Sequence, residues 1–539
     1  MSVFNQLVTP VGESLGLSFL VAAIPVIVVL VMLGVLRRPA WQASLAGLVI
    51  AFVIAITVWK LPANLAALAT LNGATFALWP VMWIVFNALV IYNIAVDTGR
   101  FDAFRAWVIA NLPNDKRIVL VVIGFSFGAL MEGVAGFGTP VAITAALLIA
   151  LGFPALDALV FVLIFNTAPV AFGALGTPVT ALAGVTQLPA ADLGAMIGRQ
   201  LPFLAVLLPF YVIGLYGGAR SIKAIWPVLL IAGISFAGAQ FVTSNYIDFA
   251  LTDVMSALVS LIITTAFLQV WKPAADPAYA LGVPPAGATK SSISPWQGWI
   301  PWVAIAAVVT IWTTFGINLI GRQRIEWPGL HNQVFITVYN APYAAIYDYQ
   351  PLATGTAILL TSMALALFFR IGVSGYLKAV RETWKQIRIA ILTVALIVGL
   401  AYLMNYAGMT YTLGLGVASV GFLFPLLSAF LGWVAVFLSG SDTSGNALFG
   451  NLQVVAANQL NLSPVLMAAT NSSGGVMGKM ISPQNIATGI AVTDVKNGEG
   501  LVLARTFIHS IILTILLGIL VMLQQYVFPW MIPGGTPAP

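Results

Sequence analysis

Apolar runs of bilayer-spanning length recur along nearly the whole chain. They fall at about residues 15–36, 41–59, 76–96, 118–132, 155–171, 201–216, 225–242, 249–270, 300–319, 352–369, 388–405, 413–438 and 507–527. A hydrocarbon core of about 30 Å takes roughly 20 apolar residues of helix. The pattern predicts an all-α polytopic membrane protein with about 12–14 transmembrane helices. Three apolar pieces, at about 139–152, 446–458 and 464–490, are too short or too interrupted for ordinary spans. They read as re-entrant or broken helices, with buried kinked helices as the plainer alternative.

Two polar stretches interrupt this pattern and mirror each other. The first runs from Glu132 through Gly136, Gly138, Thr139 and Pro140 and continues to Asn166, Thr167 and Pro169. The second runs from Ser439 through Asp442 to Asn446 and continues to Asn471, Ser472, Ser473, Gly474 and Gly475, then Lys479. Each begins with a carboxylate and a glycine-rich break, and each reaches Asn beside Ser or Thr about 30 residues later. Polar, helix-breaking residues persist at membrane depth only where protein buries them or water reaches them. A matched pair of such breaks points to the binding site of a transporter.

Basic residues gather in alternate loops: Arg37 and Arg38; Arg100, Arg105, Lys116 and Arg117; Arg220 and Lys223; Lys272 and Lys290; and Arg370 through Arg388. The positive-inside rule places these in the cytoplasm and both termini outside. Arg322 and Arg324 then lie outside, accompanied by Glu326 and Asp348. On this reading the helix ending at Glu132 and the helix ending near Asp442 run in opposite directions. That is the signature of two inverted-topology repeats with re-entrant hairpins or broken helices. The halves are residues 1–245 and 300–539, joined by a connecting span and cytoplasmic linker at 246–299. The Pro-rich part, 271–296, reads as flexible. The amphipathic segments Phe101–Leu112 and Tyr376–Arg388 read as interfacial helices.

Composition narrows the chemistry. The chain of 539 residues is 60% hydrophobic and 7% charged, against roughly 25% charged in a soluble domain. It has no Cys and two His, which excludes disulfides and thiolate chemistry and disfavours a His metal centre. The net charge of +6 reflects orientation rather than nucleic-acid binding. The first 36 residues hold no Lys or Arg, so the first apolar run is expected to remain as a span rather than be cleaved as a signal peptide.

Glu132 and Asp442 stand at the two breaks, and a charge at the centre of a span costs about 2.5–3.5 kcal/mol. Both are candidates for proton coupling; the structural alternative is that each caps the following half-helix. Asn166, Thr167, Thr139, Asn471, Ser472 and Ser473 are candidate substrate contacts. They supply donors without fixed charge beside half-helix ends that favour anions. Gly136, Gly138, Pro140, Pro169, Gly474 and Gly475 are the candidate hinges. Lys479 is the basic residue deep in the second break, suited to pairing with an anion or with Asp442. Arg505, His509 and Asp157 read as interfacial. The run Gly474–Lys479 resembles a phosphate loop only superficially, because Ser473 and Met480 break the required pattern.

The blocks Glu132–Ala142, Asn166–Ala174, Ser441–Gly450 and Gly474–Gln484, with Arg505 and His509, resemble the lactate permease family. The resemblance extends over nearly the whole chain. It implies a secondary transporter of the bacterial plasma membrane that imports L-lactate, with glycolate or D-lactate, by proton symport. It further implies Asn166, Thr167, Asn471, Ser472 and Ser473 around the anion, and leaves Glu132 and Asp442 as the coupling candidates without assigning the role to either. No cofactor beyond the coupling proton is expected. The expected partners are a small monocarboxylate and lipid, with a second copy of the chain as a candidate. A sodium-coupled carboxylate symporter and an anion channel remain the alternatives. An enzyme is not expected.

Overall fold

The computed structural model of the protein describes residues 3–36, 38–136, 139–281, 293–490, 493 and 498–534. Among these, nine helices are long and apolar enough to cross a membrane, or ten if the bent pair Ala155–Phe165 and Val170–Thr186 is one span. Three shorter apolar helices, Pro140–Ala150, Thr354–Phe368 and Met409–Ala418, lie among them. The protein is therefore a multi-pass membrane protein. Burial sorts the helices. The apolar window of Leu15–Leu33 is 28% buried, whereas that of Lys116–Val134 is 100% buried. The first faces lipid on most of its circumference, and the second is the central post of the fold.

Several elements differ from the sequence reading. The segment Tyr376–Arg388 is continuous with the following span in one helix, Gly372–Ala407. It has 36 residues, a length of about 54 Å at 1.5 Å per residue, so its first turns extend well past a hydrocarbon core. The expected span at 413–438 is divided into Met409–Ala418 and Phe424–Ser439, with Gly421 between them at φ +65. Residues 201–246 form two helical arms joined at Gly218, at φ +67, a conformation that suits a residue without Cβ.

The fold also carries a small β cap that the helical pattern does not foretell. Gln323–Glu326 pairs antiparallel with Ile346–Tyr349, in the register Arg324↔Asp348. Phe4–Asn5 pairs with Val334–Ile336, which pairs with Ala341–Pro342. The linker is not wholly free. Asp276 approaches Arg117 at 4.0 Å, the Tyr279 ring lies under the Arg117 guanidinium, and Leu281 N donates to Asn114 Oδ1. These contacts hold its first part against the first half. The rest of the Pro-rich segment, with Lys290, falls largely outside the described residues, as do Arg37 and Gly138.

Candidate substrate and coupling site

Local sequence signals deliver both polar stretches to one place. The helix Lys116–Val134 ends just past Glu132, and Gly136 at φ +53 turns the chain before the helix Thr139–Ala150. A Cβ at Gly136 would lie 2.9 Å from Ala174 Cβ, so glycine is needed for both conformation and space. Pro140 sits in the first turn of the new helix, where proline lacks no hydrogen bond. The helix Ala155–Phe165 stops at Asn166. The chain then passes Pro169 and starts the helix Gly173–Thr186 through left-handed Ala174, Leu175 and Gly176. Here the expected break is present.

The second stretch is built differently. Gly440, at φ +70, ends the helix Phe424–Ser439. Ser441 then caps the helix Asp442–Gln459, its side chain accepting from Ser444 N. The cap is thus Ser441 and not Asp442, which frees the carboxylate for other partners. Gly474 and Gly475 are not a helix break. They lie inside the continuous helix Pro464–Lys479, and their role is close approach. A Cβ at Gly474 would strike the Ala429 backbone, and one at Gly475 would strike Asp442 Oδ1.

At the centre, Lys479 Nζ donates to Glu132 Oε1 at 2.7 Å, joining residues 347 positions apart. Asn166 Nδ2 donates to Glu132 Oε2 at 3.0 Å. The sequence suggested an anion or Asp442 as the partner of Lys479; the structure pairs it with the opposite break. Glu132 is 2% exposed and Lys479 5%, so neither charge is met by bulk water. Asp442 Oδ2 accepts from Ser472 Oγ and from Asn446 Nδ2, while its Oδ1 has no hydrogen-bond partner among the described residues. Asn446 also donates to Pro178 O. Asn471 Nδ2 donates to Asn446 Oδ1 at 2.9 Å, and Gln453 Nε2 donates to Asn471 Oδ1 at 2.8 Å. Thr167 Oγ1 is turned back to Ile164 O, and Ser473 Oγ is buried without a partner. Thr139 begins its helix, but its side chain falls outside the described residues.

Glu132, Gly173, Pro178, Ser441, Asp442, Thr443 and Lys479 surround a cavity of about 30 Å³. That is room for about two waters, too little for a hydroxy acid until the walls separate. On the β-cap side lies a vestibule of about 640 Å³, lined by Asn72, Gln187, Asp248, Arg322, Arg324 and Tyr347 among others. At the opposite end, a cleft of about 270 Å³ lies beside Leu33, Pro39 and Ile389 and reaches Ser441, which also lines the central cavity. The helix Gly173–Thr186 spans from the centre to the vestibule: Pro178 lines the first and Thr180 the second. In the vestibule, Arg322 forms a two-oxygen pair with Asp348, and that hydrogen bond raises the guanidinium pKa further. Burial pushes the Asp248 carboxyl above its ordinary value, against the hydrogen bonds from Ala250 N and Thr313.

Sequence reasoning placed Asn446 in the second polar stretch without giving it a role, and passed over Gln453 and Asp253. Asp253 had a readable signal, an acidic residue inside an apolar run. Gln453 had none beyond polarity within a helical segment. Arg505 pairs with Asp157 at an exposed position, and His509 Nδ1 meets Tyr211 Oη at 2.6 Å; neither enters the central cluster.

A multi-pass helical fold enclosing a buried charged cluster between two opposed cavities is that of a membrane transporter rather than an enzyme. The L-lactate permease sequence profile matches residues 18–528, and the chain belongs to that family. It is 41% identical to glycolate permease GlcA of Escherichia coli K12, over 99% of this chain and all of that one. It is 40% identical to the L-lactate permease of Bacillus subtilis 168, over 98% of this chain and all of the relative. Among solved structures, Neisseria gonorrhoeae MtrF, described as one of a class of antimetabolite efflux pumps, aligns with a TM-score of 0.47 at 14% identity. That alignment covers 87% of this chain and 85% of MtrF.

Proposed function

We propose that the protein imports L-lactate, with glycolate and D-lactate as alternates, across the bacterial plasma membrane by symport with protons. The observation that carries this reading is the buried Lys479–Glu132 pair facing Asp442 across a small cavity between two larger ones. A substrate carboxylate competes with Glu132 for the Lys479 ammonium. Its hydroxyl takes the Asn166 amide, Thr167 or the Asn471–Ser473 cluster once the walls part. Glu132 and Asp442 are the coupling carboxylates, because an arriving anion makes their negative charge unfavourable unless a proton accompanies it. The vestibule opens outward and the opposite cleft inward, with the basic loops cytoplasmic and both termini outside. The two polar stretches act as inverted repeats that rock about the central site.

A second reading, sodium coupling, draws on the unpartnered oxygens Asp442 Oδ1 and Ser473 Oγ. Uptake of labelled L-lactate into proteoliposomes separates the two. Accumulation should follow an inward proton gradient without sodium. Uptake that follows a sodium gradient and ignores pH overturns proton symport. Competition by glycolate and D-lactate then ranks the substrates.

A further inference from the structure

The helix Thr252–Val270 holds a carboxylate that this reading does not use. Asp253 is 0% exposed, and neither of its oxygens has a hydrogen-bond partner among the described residues. It is packed against the residue that follows Glu132: a Cβ at Gly133 would lie 2.8 Å from Asp253 Cβ and 3.1 Å from Val254 N. Glu132 and Lys479 are the charged groups whose fields reach it. On the neighbouring elements, Asp248 lines the vestibule. Arg220 and Lys223 flank Ser221, which donates to Tyr279 at the basic end. The helices Gly173–Thr186 and Pro295–Thr314 carry no charged residue. An ionised carboxylate with neither donor nor adjacent counter-charge is strongly disfavoured in a buried site. This conformation accommodates Asp253 as the neutral acid.

Below Asp253 runs a buried hydroxyl stripe. Ser256, Ser260 and Thr264 are each 0% exposed and share its helix face by their spacing. Ser260 Oγ meets Ser126 Oγ at 2.8 Å and donates to Ala232 O, and Thr264 Oγ1 has no hydrogen-bond partner. From Asp253 to Thr264 the stripe covers about 16 Å of helix, heading toward Trp271 and Lys272. Hydroxyls both donate and accept. Asp248 lies at the other end of the helix, in the vestibule wall.

We propose that Asp253 is a further proton-binding carboxylate of the coupling machinery, beside Glu132 and Asp442, and that Ser256, Ser260 and Thr264, about 6 Å apart along the helix, line a water-bridged proton path toward the basic face. The inference rests on proton symport and adds a third carboxylate to Glu132 and Asp442. With Asp253 protonated, one negative charge fewer lies within reach of Lys479, and the substrate anion can take the ammonium. When the Asp253 O–H bond breaks, its proton passes to water bridging the stripe and from there to the basic face. The added negative charge then holds Lys479 against the anion, which is expelled. Proton and anion therefore raise each other's affinity by the same factor.

The test uses the full chain in proteoliposomes, with Asp253→Asn as a fixed mimic of the neutral acid. The variant should exchange labelled L-lactate at equal pH but fail to accumulate it under a pH gradient. Wild-type lactate affinity should strengthen as pH falls, by up to about tenfold per unit, and the variant's should stay flat. Ser260→Ala should slow accumulation without changing affinity. A wild type that ignores the pH gradient refutes proton symport itself. A wild type that accumulates alongside an Asp253→Asn variant that also accumulates refutes the role of Asp253 alone. A folded variant that loses exchange as well refutes it too, because Asp253 would then serve binding or packing. If Asp253→Asn does not fold, Asp253→Glu keeps the acid and should shift the pH profile of accumulation; an unchanged profile overturns the inference.

Discussion

The two polar stretches look alike as sequence and are built by different means. The first interrupts the backbone: Gly136 and the run Ala174, Leu175 and Gly176 are left-handed, and helices stop on both sides. The second, after a turn at Gly440, keeps the helices Asp442–Gln459 and Pro464–Lys479 intact and places its polarity in a side-chain network of Asp442, Asn446, Gln453, Asn471 and Ser472. Free peptide groups at depth need partners. The first stretch therefore exposes backbone near the cavity, whereas the second satisfies its backbone within helices. The charges cross between them, since the base of the second stretch neutralises the acid of the first. The site is a joint product of both halves, and neither stretch is complete alone.

The largest expected effect comes from uncrossing those charges. Lys479→Met leaves Glu132 buried without a counter-charge, which should cost about 3–5 kcal/mol and abolish uptake. The double variant Glu132→Gln with Lys479→Met should regain most of the thermal stability in detergent and still not transport. Equal Tm losses in the single and double variants would deny the pair its structural weight. Next, Asp442→Asn removes a charged acceptor of two hydrogen bonds. It should weaken exchange by roughly ten- to hundredfold, on the scale of about 1.5–3 kcal/mol for such bonds.

Glycine substitutions set the stretches directly against each other. A Cβ at Gly173 would lie 2.8 Å from Glu132 Oε1, and one at Gly475 would strike Asp442 Oδ1 and the Val436 side chain. Each Ala variant should lose about 1–3 kcal/mol of stability, with Gly475 the worse because its helix cannot shift. A milder Gly475→Ala would show that the second stretch is the more compliant. Smallest are the hydrogen-bond deletions. Asn166→Ala should cost about 1 kcal/mol by thermal melting. Ser473→Ala, whose hydroxyl has no partner among the described residues, should change stability by less than about 1 kcal/mol, because no hydrogen bond is lost. A tenfold loss of exchange in Ser473→Ala would place that hydroxyl on the substrate rather than in the resting network.

Periodicity and local chemistry made much of this legible. Apolar runs announce helices because a lipid-facing span cannot hold polar groups. The glycines, proline and carboxylates of both stretches mark their positions from neighbours within a few residues. The expected break at Gly474–Gly475 does not form, since close packing and helix breaking call for the same residue. The β cap was hidden because its strands are two to four residues long.

The amino-acid order thus settles what is local: membrane spans, caps, turns and the presence of two polar interruptions. It leaves open which charges meet. Lys479 lies 37 residues from Asp442 in the chain, but its ammonium meets Glu132, 347 positions away. Asp253 is one more acid in an apolar run until Gly133 packs it against the helix that carries Glu132. Partner choice depends on the approach of helices far apart in the chain, and at low dielectric that approach governs which ionised groups the interior tolerates.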